Sequence, residues 1–343
     1  MIDISSLTTL GTPTKAESVI EITSQSQITP DLSKTPYYIL GTGANVLFKS
    51  DFPGNIVLIK LLGKKVVSQT DIEVLVEFAA GEIWHEAVMW TVNQNWSGME
   101  NMALIPGTIG AATVGNIAAY GQNQQDIMDH LTAINLETGK SETFSNSDCK
   151  FAYRESIFKN EFSQKYLVTS VTYKLSKIAH LELSYQATHH ASLLSQLQNM
   201  HSAPYSITDI SHAVISLRSA KLPDWTKIHT AGSFFKNPIV PKSQISNLKS
   251  QIPDLQVYPT EKLSYVDPSE SENYVKIPAG MLLDSLGWRG KKIGRVGTYV
   301  NHALVIIADP EATGQEIFEF SESMRRDVLK NFGINLEYEV IVV

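Results

Sequence analysis

IPGTIGAATVGNIAAYGQ, residues 105–122, is the stretch on which the reading of this chain turns. Four glycines and four alanines crowd into it. Glycine loses more backbone freedom on folding than any other residue, so such a stretch needs a physical reason. One reason is a ligand lying close to the main chain. Bare N–H groups in successive turns form a nest for anionic oxygens, and small side chains admit a flat ring or a pyrophosphate. The other is a close-packed Ala/Gly seam between two elements. The stretch alone leaves both readings open.

A second small-residue loop, GTGANVLF (41–48), follows the β-like run PYYIL (36–40). A dinucleotide-binding Rossmann turn wants G-x-G-x-x-G opening a helix. Here Val46 holds the third glycine's place, and the β-like continuation contains Pro53-Gly54. No crossover helix is expected, so the Rossmann fold is rejected. Two such loops in an acidic protein suggest a dinucleotide held largely by backbone groups.

The bulk numbers narrow the class. The chain has 343 residues, 43% hydrophobic and 18% charged, enough for two or three domains with real cores. Net charge is −7, which argues against general nucleic-acid binding, since that needs a basic face. Runs such as ALVIIA (303–308) are too short to cross a bilayer. The start, MIDISSLTTLGTP, shows no signal-peptide pattern. The single cysteine, Cys149, excludes an internal disulfide and fits a reducing compartment. A cytoplasmic protein with no membrane or nucleic-acid partner is expected. His85-Glu86 begins like a zinc-protease motif, but Met89 stands where the second histidine belongs. No metal is expected.

Periodicity predicts an α+β protein. Strands are expected at 45–48, 55–62, 64–68, 72–81 and 166–176, with a hairpin over 130–145 around Thr138-Gly139. Helices are expected over 82–96, 206–224 and 278–287, and from a Thr313/Glu316 capping box to Gly333. Arg218 and Lys221 read as cations at a helix C-terminus. Residues 177–205, rich in His, Ser and Gln, read as a connection, and 334–343 as a closing strand.

AGSFFKNP (231–238) gathers a hydroxyl, an ammonium and an amide beside two phenylalanines. A nucleophilic serine needs an adjacent base, and the stretch itself contains no histidine. Ser233 is then either a turn residue or does chemistry other than attack.

Seven blocks in order now carry a resemblance: LGTGANVLF (40–48), GMENMALIPGTIGAATVGNIAAYG (98–121), CKFAYRESIFK (149–159), AKLPD (220–224), AGSFFKNP (231–238), AGMLLDSLGWRGKKIG (279–294) and LEYEV (336–340). Together they span almost the whole chain and resemble the UDP-N-acetylenolpyruvoylglucosamine reductases, in the longer class with a tyrosine loop. The resemblance implies a vanillyl-alcohol-oxidase/PCMH-type FAD-binding fold with a separate α+β substrate-binding domain. It implies one FAD subdomain over 1–66 and a second over 67–176. A connection over 177–205 would carry the tyrosine loop, a substrate domain would span 206–333, and a last strand over 334–343 would carry Glu339. It also implies bound FAD, NADPH as co-substrate, a UDP-sugar substrate and a monomer.

The same resemblance implies site residues. FAD would lie against Gly41, Thr42, Gly43, Ala44 and Asn45 in the first loop. In the second it would meet Ile105, Pro106, Gly107, Thr108, Gly110, Ala111, Asn116, Ala119, Tyr120 and Gly121, with Val168 nearby. Ser233 would be a proton donor, so no triad is required. Arg154 would grip the substrate carboxylate, since a guanidinium offers two parallel hydrogen bonds, and Glu339 would work with it. Tyr153, Tyr185, Lys221 and Asn237 would bind the substrate. The family's first loop commonly has a serine where this chain has Ala44. Two alternatives stand beside this reading: a related FAD oxidase, and a nucleotide-sugar or flavin binding module without turnover.

Overall fold

The computed structural model describes residues 1–183, 192–260 and 271–343. They form two compact units. The glycine-loop unit comprises Ser18–Thr42 and Gly54–Ala220; the serine unit comprises Met1–Glu17, Gly43–Pro53 and Lys221–Val343.

The glycine-loop unit is built on a five-stranded antiparallel sheet. Its order is Ser141–Ser145, Met128–Asn135, Tyr166–Ser176, Glu73–Ala79, Lys64–Gln69. The central strand Tyr166–Ser176 buries side chains on both faces. The edge strand Lys64–Gln69 buries none and opens with two lysines, which discourage pairing with another chain. Glu73–Ala79 alternates, with Val74, Val76 and Phe78 inward. The hairpin turns at Gly139, φ +71°. Tyr37–Leu40 pairs in parallel with Phe52–Ile59, Tyr37 opposite Asn55.

Helices cover this sheet. Trp84–Asn93 buries Trp84, Ala87, Val88, Thr91 and Val92, and the Trp84 indole N–H donates to the Met102 carbonyl at 2.9 Å. Ile207–Lys221 buries Ile207, Ile210, Ala213 and Val214 in the same core. This helix was expected to open the substrate domain; its apolar face places it in the glycine-loop unit instead. The segment read as a bare connection contains a helix, Leu193–Met200, capped by Ser192. Only Leu193 and Leu197 of that helix are buried, too few to raise a helical period above the polar background.

The serine unit contains an antiparallel sheet in the order His229–Ser233, His302–Ala308, Val296–Tyr299, Lys292–Ile293. Helix Gly314–Phe332 lays Ile317, Phe320, Met324 and Val328 into its core. The helix has the expected capping box and ends at Gly333, φ +69°. Residues 1–17 and 43–53 cluster in this unit, where Leu10 and Leu47 are core residues. The expected strand over 334–343 is shorter. Ile341–Val342 pair in parallel with Val46–Leu47, a partner strand itself two residues long, and Tyr338 forms an isolated antiparallel bridge with Phe235. None of the described helices is long and apolar enough to cross a membrane.

Candidate active site

In the glycine-loop unit the two small-residue loops meet. A Cβ on Gly41 would sit 2.8 Å from Thr108 Oγ1 and 3.6 Å from the Ala111 Cβ. The second stretch is not a run of turns throughout. Thr108 caps a short helix, Ile109–Val114, accepting from the Ala111 N–H. Gly110 presses on Ala80, whose Cβ would lie 2.9 Å from an added one. That glycine belongs to a packed seam. Gly107 has φ +125° with nothing within 4 Å of an added Cβ, so there conformation and not space demands glycine. The seam and the open loop thus coexist at different glycines.

Beside this floor the Thr42 Oγ1 is buried and has no hydrogen-bond partner among the described residues. A buried orphan hydroxyl calls for a partner from outside the chain. Phosphate oxygens supply acceptors, and a loop pared to glycine lets them approach. The donor set and the cradle at Gly41 therefore fit an FAD pyrophosphate. Of the other expected contacts, Ile105 and Pro106 are half-buried in the loop and Ala119 lies in a two-residue strand. Val168 is buried in the sheet, opposite Ala133.

Arg154 lies on a separate segment braced against the second loop. Its segment is tied down by the Asn116 amide donating to the Ala152 carbonyl at 2.6 Å, and by Ser156 Oγ donating to the Val114 carbonyl at 2.7 Å. Arg154 sits at φ +60°, a conformation that L-residues hold only where the surroundings impose it. Its Nη2 approaches the Ala118 carbonyl at 3.4 Å, and its guanidinium lies over the Tyr153 ring at 5.5 Å. The Asn116 amide also donates to Gln125 Oε1 at 2.7 Å, so this residue braces the Arg154 segment as well as the loop.

Sequence reasoning missed Arg218. It was read as a helix-end cation, yet its Nε is buried with no partner among the described residues. Burial holds its pKa below the ordinary guanidinium value; Tyr120 opposes the shift and the like charge of Arg154 adds to it. His85 lies close enough to feel the same charge. Its pKa is lowered first by burial, against Glu86, and further by Arg218. Its Nδ1 accepts from the Leu104 N–H at 3.0 Å, so the neutral ring carries its proton on Nε2. Two neighbouring guanidiniums suit an anionic ligand. The sequence signal was faint: one arginine on the buried side of an amphipathic helix.

In the serine unit, the strand His229–Ser233 carries a bulge. Thr230 pairs with Ile307 and Ser233 with Val305, which leaves one extra residue in the Ala231-Gly232 step. Gly232 takes φ +73° with nothing within 4 Å of an added Cβ. Such bulges bend a strand and re-aim a side chain, here Ser233. The phenylalanines of the stretch are anchors. Phe234 and Phe235 are buried and pack with Tyr338 at 6.3 and 5.3 Å between ring centroids. Tyr338 hydrogen-bonds Ser321 and Glu322, both at 2.7 Å, and burial pushes its hydroxyl up to about 12.

This anchoring brings Glu339 to the serine. The Glu339 N–H donates to the Phe234 carbonyl at 2.9 Å, and the Lys236 N–H donates to the Glu337 carbonyl at 2.9 Å. The Glu339 carbonyl accepts from the Asn45 side-chain amide at 3.1 Å. Gly43 in the same loop has φ +62°, and a Cβ there would lie 2.1 Å from the Leu7 carbonyl oxygen. Ala44 follows it, half-buried. Asn237 Oδ1 accepts from the Ala279 N–H at 3.0 Å and so caps helix Ala279–Ser285. A cavity of about 220 Å³ is lined in part by Lys236, Asn237, Gln244 and Glu337. Lys221 ends helix Ile207–Lys221, and Tyr185 lies outside the described residues. No cluster of three or more metal-ligating side chains occurs among the described residues.

Comparisons with known proteins show the family of the chain. The profile "FAD binding domain" matches residues 12–145, and "UDP-N-acetylenolpyruvoylglucosamine reductase, C-terminal domain" matches residues 224–343. A UDP-N-acetylenolpyruvoylglucosamine reductase of Flavobacterium johnsoniae is 39% identical over 98% of this chain and 96% of its own length. One of Bdellovibrio bacteriovorus is 36% identical over 99% and 97%. The crystal structure of the corresponding reductase from Thermus caldophilus matches with a TM-score of 0.67 over 99% of this chain and 97% of its own, at 18% identity, which shows the shared fold. With relatives this similar over nearly the full length, the chain belongs to the UDP-N-acetylenolpyruvoylglucosamine reductase family.

Proposed function

We propose that Ser233, Arg154 and Glu339 carry the reaction of this FAD-containing, NADPH-dependent reductase on a UDP-linked enolpyruvyl sugar, giving UDP-N-acetylmuramate for peptidoglycan precursor synthesis. FAD, which the loops around Gly41, Thr42 and Gly107 would hold, would supply the hydride for the terminal vinyl carbon, its two electrons drawn from NADPH. The protein's residues handle the charge and the proton. Hydride addition to the alkene, before the proton arrives, leaves negative charge delocalised towards the substrate carboxylate, and a positioned guanidinium stabilises charge that develops there. Arg154 takes that role, with Arg218 as the second cation of its neighbourhood. Ser233 gives its hydroxyl proton to the carbon next to the carboxylate. Serine is a weak acid, but the carbanionic centre is strongly basic. Glu339 assists beside it.

One observation carries this reading: the Glu339 N–H rests on the carbonyl of the residue after Ser233, so the two groups share one short ladder. Tyr153, Tyr185, Lys221 and Asn237 complete the substrate contacts in this proposal, and a cytoplasmic monomer is part of it. Replacing Ser233 by alanine tests the assignment under anaerobic conditions. NADPH should still bleach the flavin. Reoxidation by the enolpyruvyl substrate should slow by roughly 10²–10⁴, the usual general-acid contribution. A variant that loses flavin reduction and keeps reoxidation would overturn the role.

A further inference from the structure

The peptide groups of Glu339 are held from two sides. Its N–H donates to the Phe234 carbonyl at 2.9 Å. Its C=O accepts from the Asn45 Nδ2 at 3.1 Å. Asn45 makes a second contact with the same segment, since its own carbonyl accepts from the Ile341 N–H at 3.1 Å. One residue of the loop therefore brackets Val340, which is buried. The pairing continues beyond it: the Val343 N–H donates to the Leu47 carbonyl at 2.9 Å, and the Lys49 N–H to the Val343 carbonyl at 3.0 Å.

The local chemistry explains why an amide is suited to position 45. Glu339 lies two residues before the short strand Ile341–Val342, where its carbonyl accepts from a side chain. The Asn45 amide reaches from the loop and donates to it, as side chains do for backbone groups at turns and strand ends. A shorter or apolar side chain removes this tie on the carbonyl side of the peptide, leaving the long 3.5 Å contact of the Val340 N–H with the Phe234 carbonyl. The side chain leaves from the Cα between these two peptide groups, so holding both fixes the root from which the carboxylate is placed.

We infer that Asn45 is a positioning residue for Glu339, which couples the cofactor loop to the carboxylate that works beside Ser233. This rests on the proposed role of Glu339. It differs from the expectation that Asn45 serves the FAD pyrophosphate alone, because the side-chain N–H is directed at the protein's own main chain. The consequence lies in the second half-reaction, where Glu339 acts, more than in flavin reduction by NADPH.

A double-mutant cycle on the FAD-loaded enzyme tests it, with Asn45→Ala, Glu339→Gln and the combined variant. Each half-reaction is followed anaerobically by flavin absorbance. Asn45→Ala should slow reoxidation by the enolpyruvyl substrate about 10-fold or more relative to flavin reduction, as displaced catalytic groups do. In the Glu339→Gln background the same change should cost under about twofold, because the two act through one group. Asn45→Asp, which keeps the size and loses the donor, should behave like Asn45→Ala and guards against a packing defect. Equal losses in both backgrounds, or a defect confined to FAD retention, would overturn the inference. Glu339→Gln that reoxidises at the wild-type rate would remove the proposed role of Glu339, and the inference with it; that outcome is distinct, since it appears before Asn45 is touched.

Discussion

The loop around Arg154 and the strand around Ser233 are built by opposite means. The first is irregular backbone. Asn116, Tyr120 and Arg154 all sit at positive φ, and side-chain-to-carbonyl bonds such as Asn116 to Ala152 hold it in shape. The second is a β-ladder with aromatic anchors, Phe234, Phe235 and Tyr338, and a single defect at Gly232. Irregular backbone makes room for a large cofactor and leaves polar atoms such as Thr42 Oγ1 waiting for it. A ladder fixes one small side chain closely. The difference teaches that cofactor retention and proton delivery depend on different kinds of residue, and variants should separate them.

The strongest separation should come from the arginines. Arg154→Ala should lower turnover by roughly 10–100-fold, the worth of a hydrogen bond to a charged group, with folding little changed. Arg218→Met removes a half-buried cation whose Nε is buried with no partner among the described residues. Replacing an uncompensated buried charge by an apolar side chain of similar size tends to be neutral or stabilising. Melting of the FAD-free protein should therefore hold or rise while turnover falls. A variant that melts earlier with full turnover would show Arg218 to be structural, and the comparison would lose one of its terms.

A smaller effect is expected at the two glycines that define the regions. Gly232→Ala forces a side chain into left-handed backbone, at about 1–2 kcal/mol, and should lower the melting temperature and slow reoxidation together, because the bulge aims Ser233. Gly41→Ala meets Thr108 Oγ1 at 2.8 Å, the end of a side chain, and should weaken FAD retention with little change in reoxidation of the flavin that stays bound. Titration with FAD and anaerobic reoxidation rates check both. Swapped phenotypes would mean that the two regions are not specialised in this way.

How much of this was legible in the sequence follows the same division. The helix from Thr313 to Gly333 was readable because cap, apolar stripe and terminal glycine all agree. The strand Tyr166–Ser176 was readable from its run of β-branched and aromatic residues. The domain borders were harder, since contacts between distant segments decide them: Leu10 and Leu47 join a core made mostly of residues beyond 221. Ser233, Arg154 and Glu339 were reached through the combination of blocks. Nothing local marks a general-acid serine, and the bulge that aims Ser233 depends on its register with Val305. Arg218 was missed because burial on a helix face is a property of what packs against it. Asn45 was read as a cofactor contact because the C-terminal segment it holds lies nearly 300 positions away, at |i−j| = 294.

The central claim is that this chain holds FAD on its two small-residue loops and passes electrons from NADPH to an enolpyruvyl double bond. Absorbance of the purified protein under anaerobic conditions tests it most directly. The account predicts yellow flavin bands that NADPH bleaches and the UDP-enolpyruvyl sugar restores. A colourless protein that cannot take up FAD, or a bleached flavin that oxygen reoxidises and the sugar does not, would contradict it.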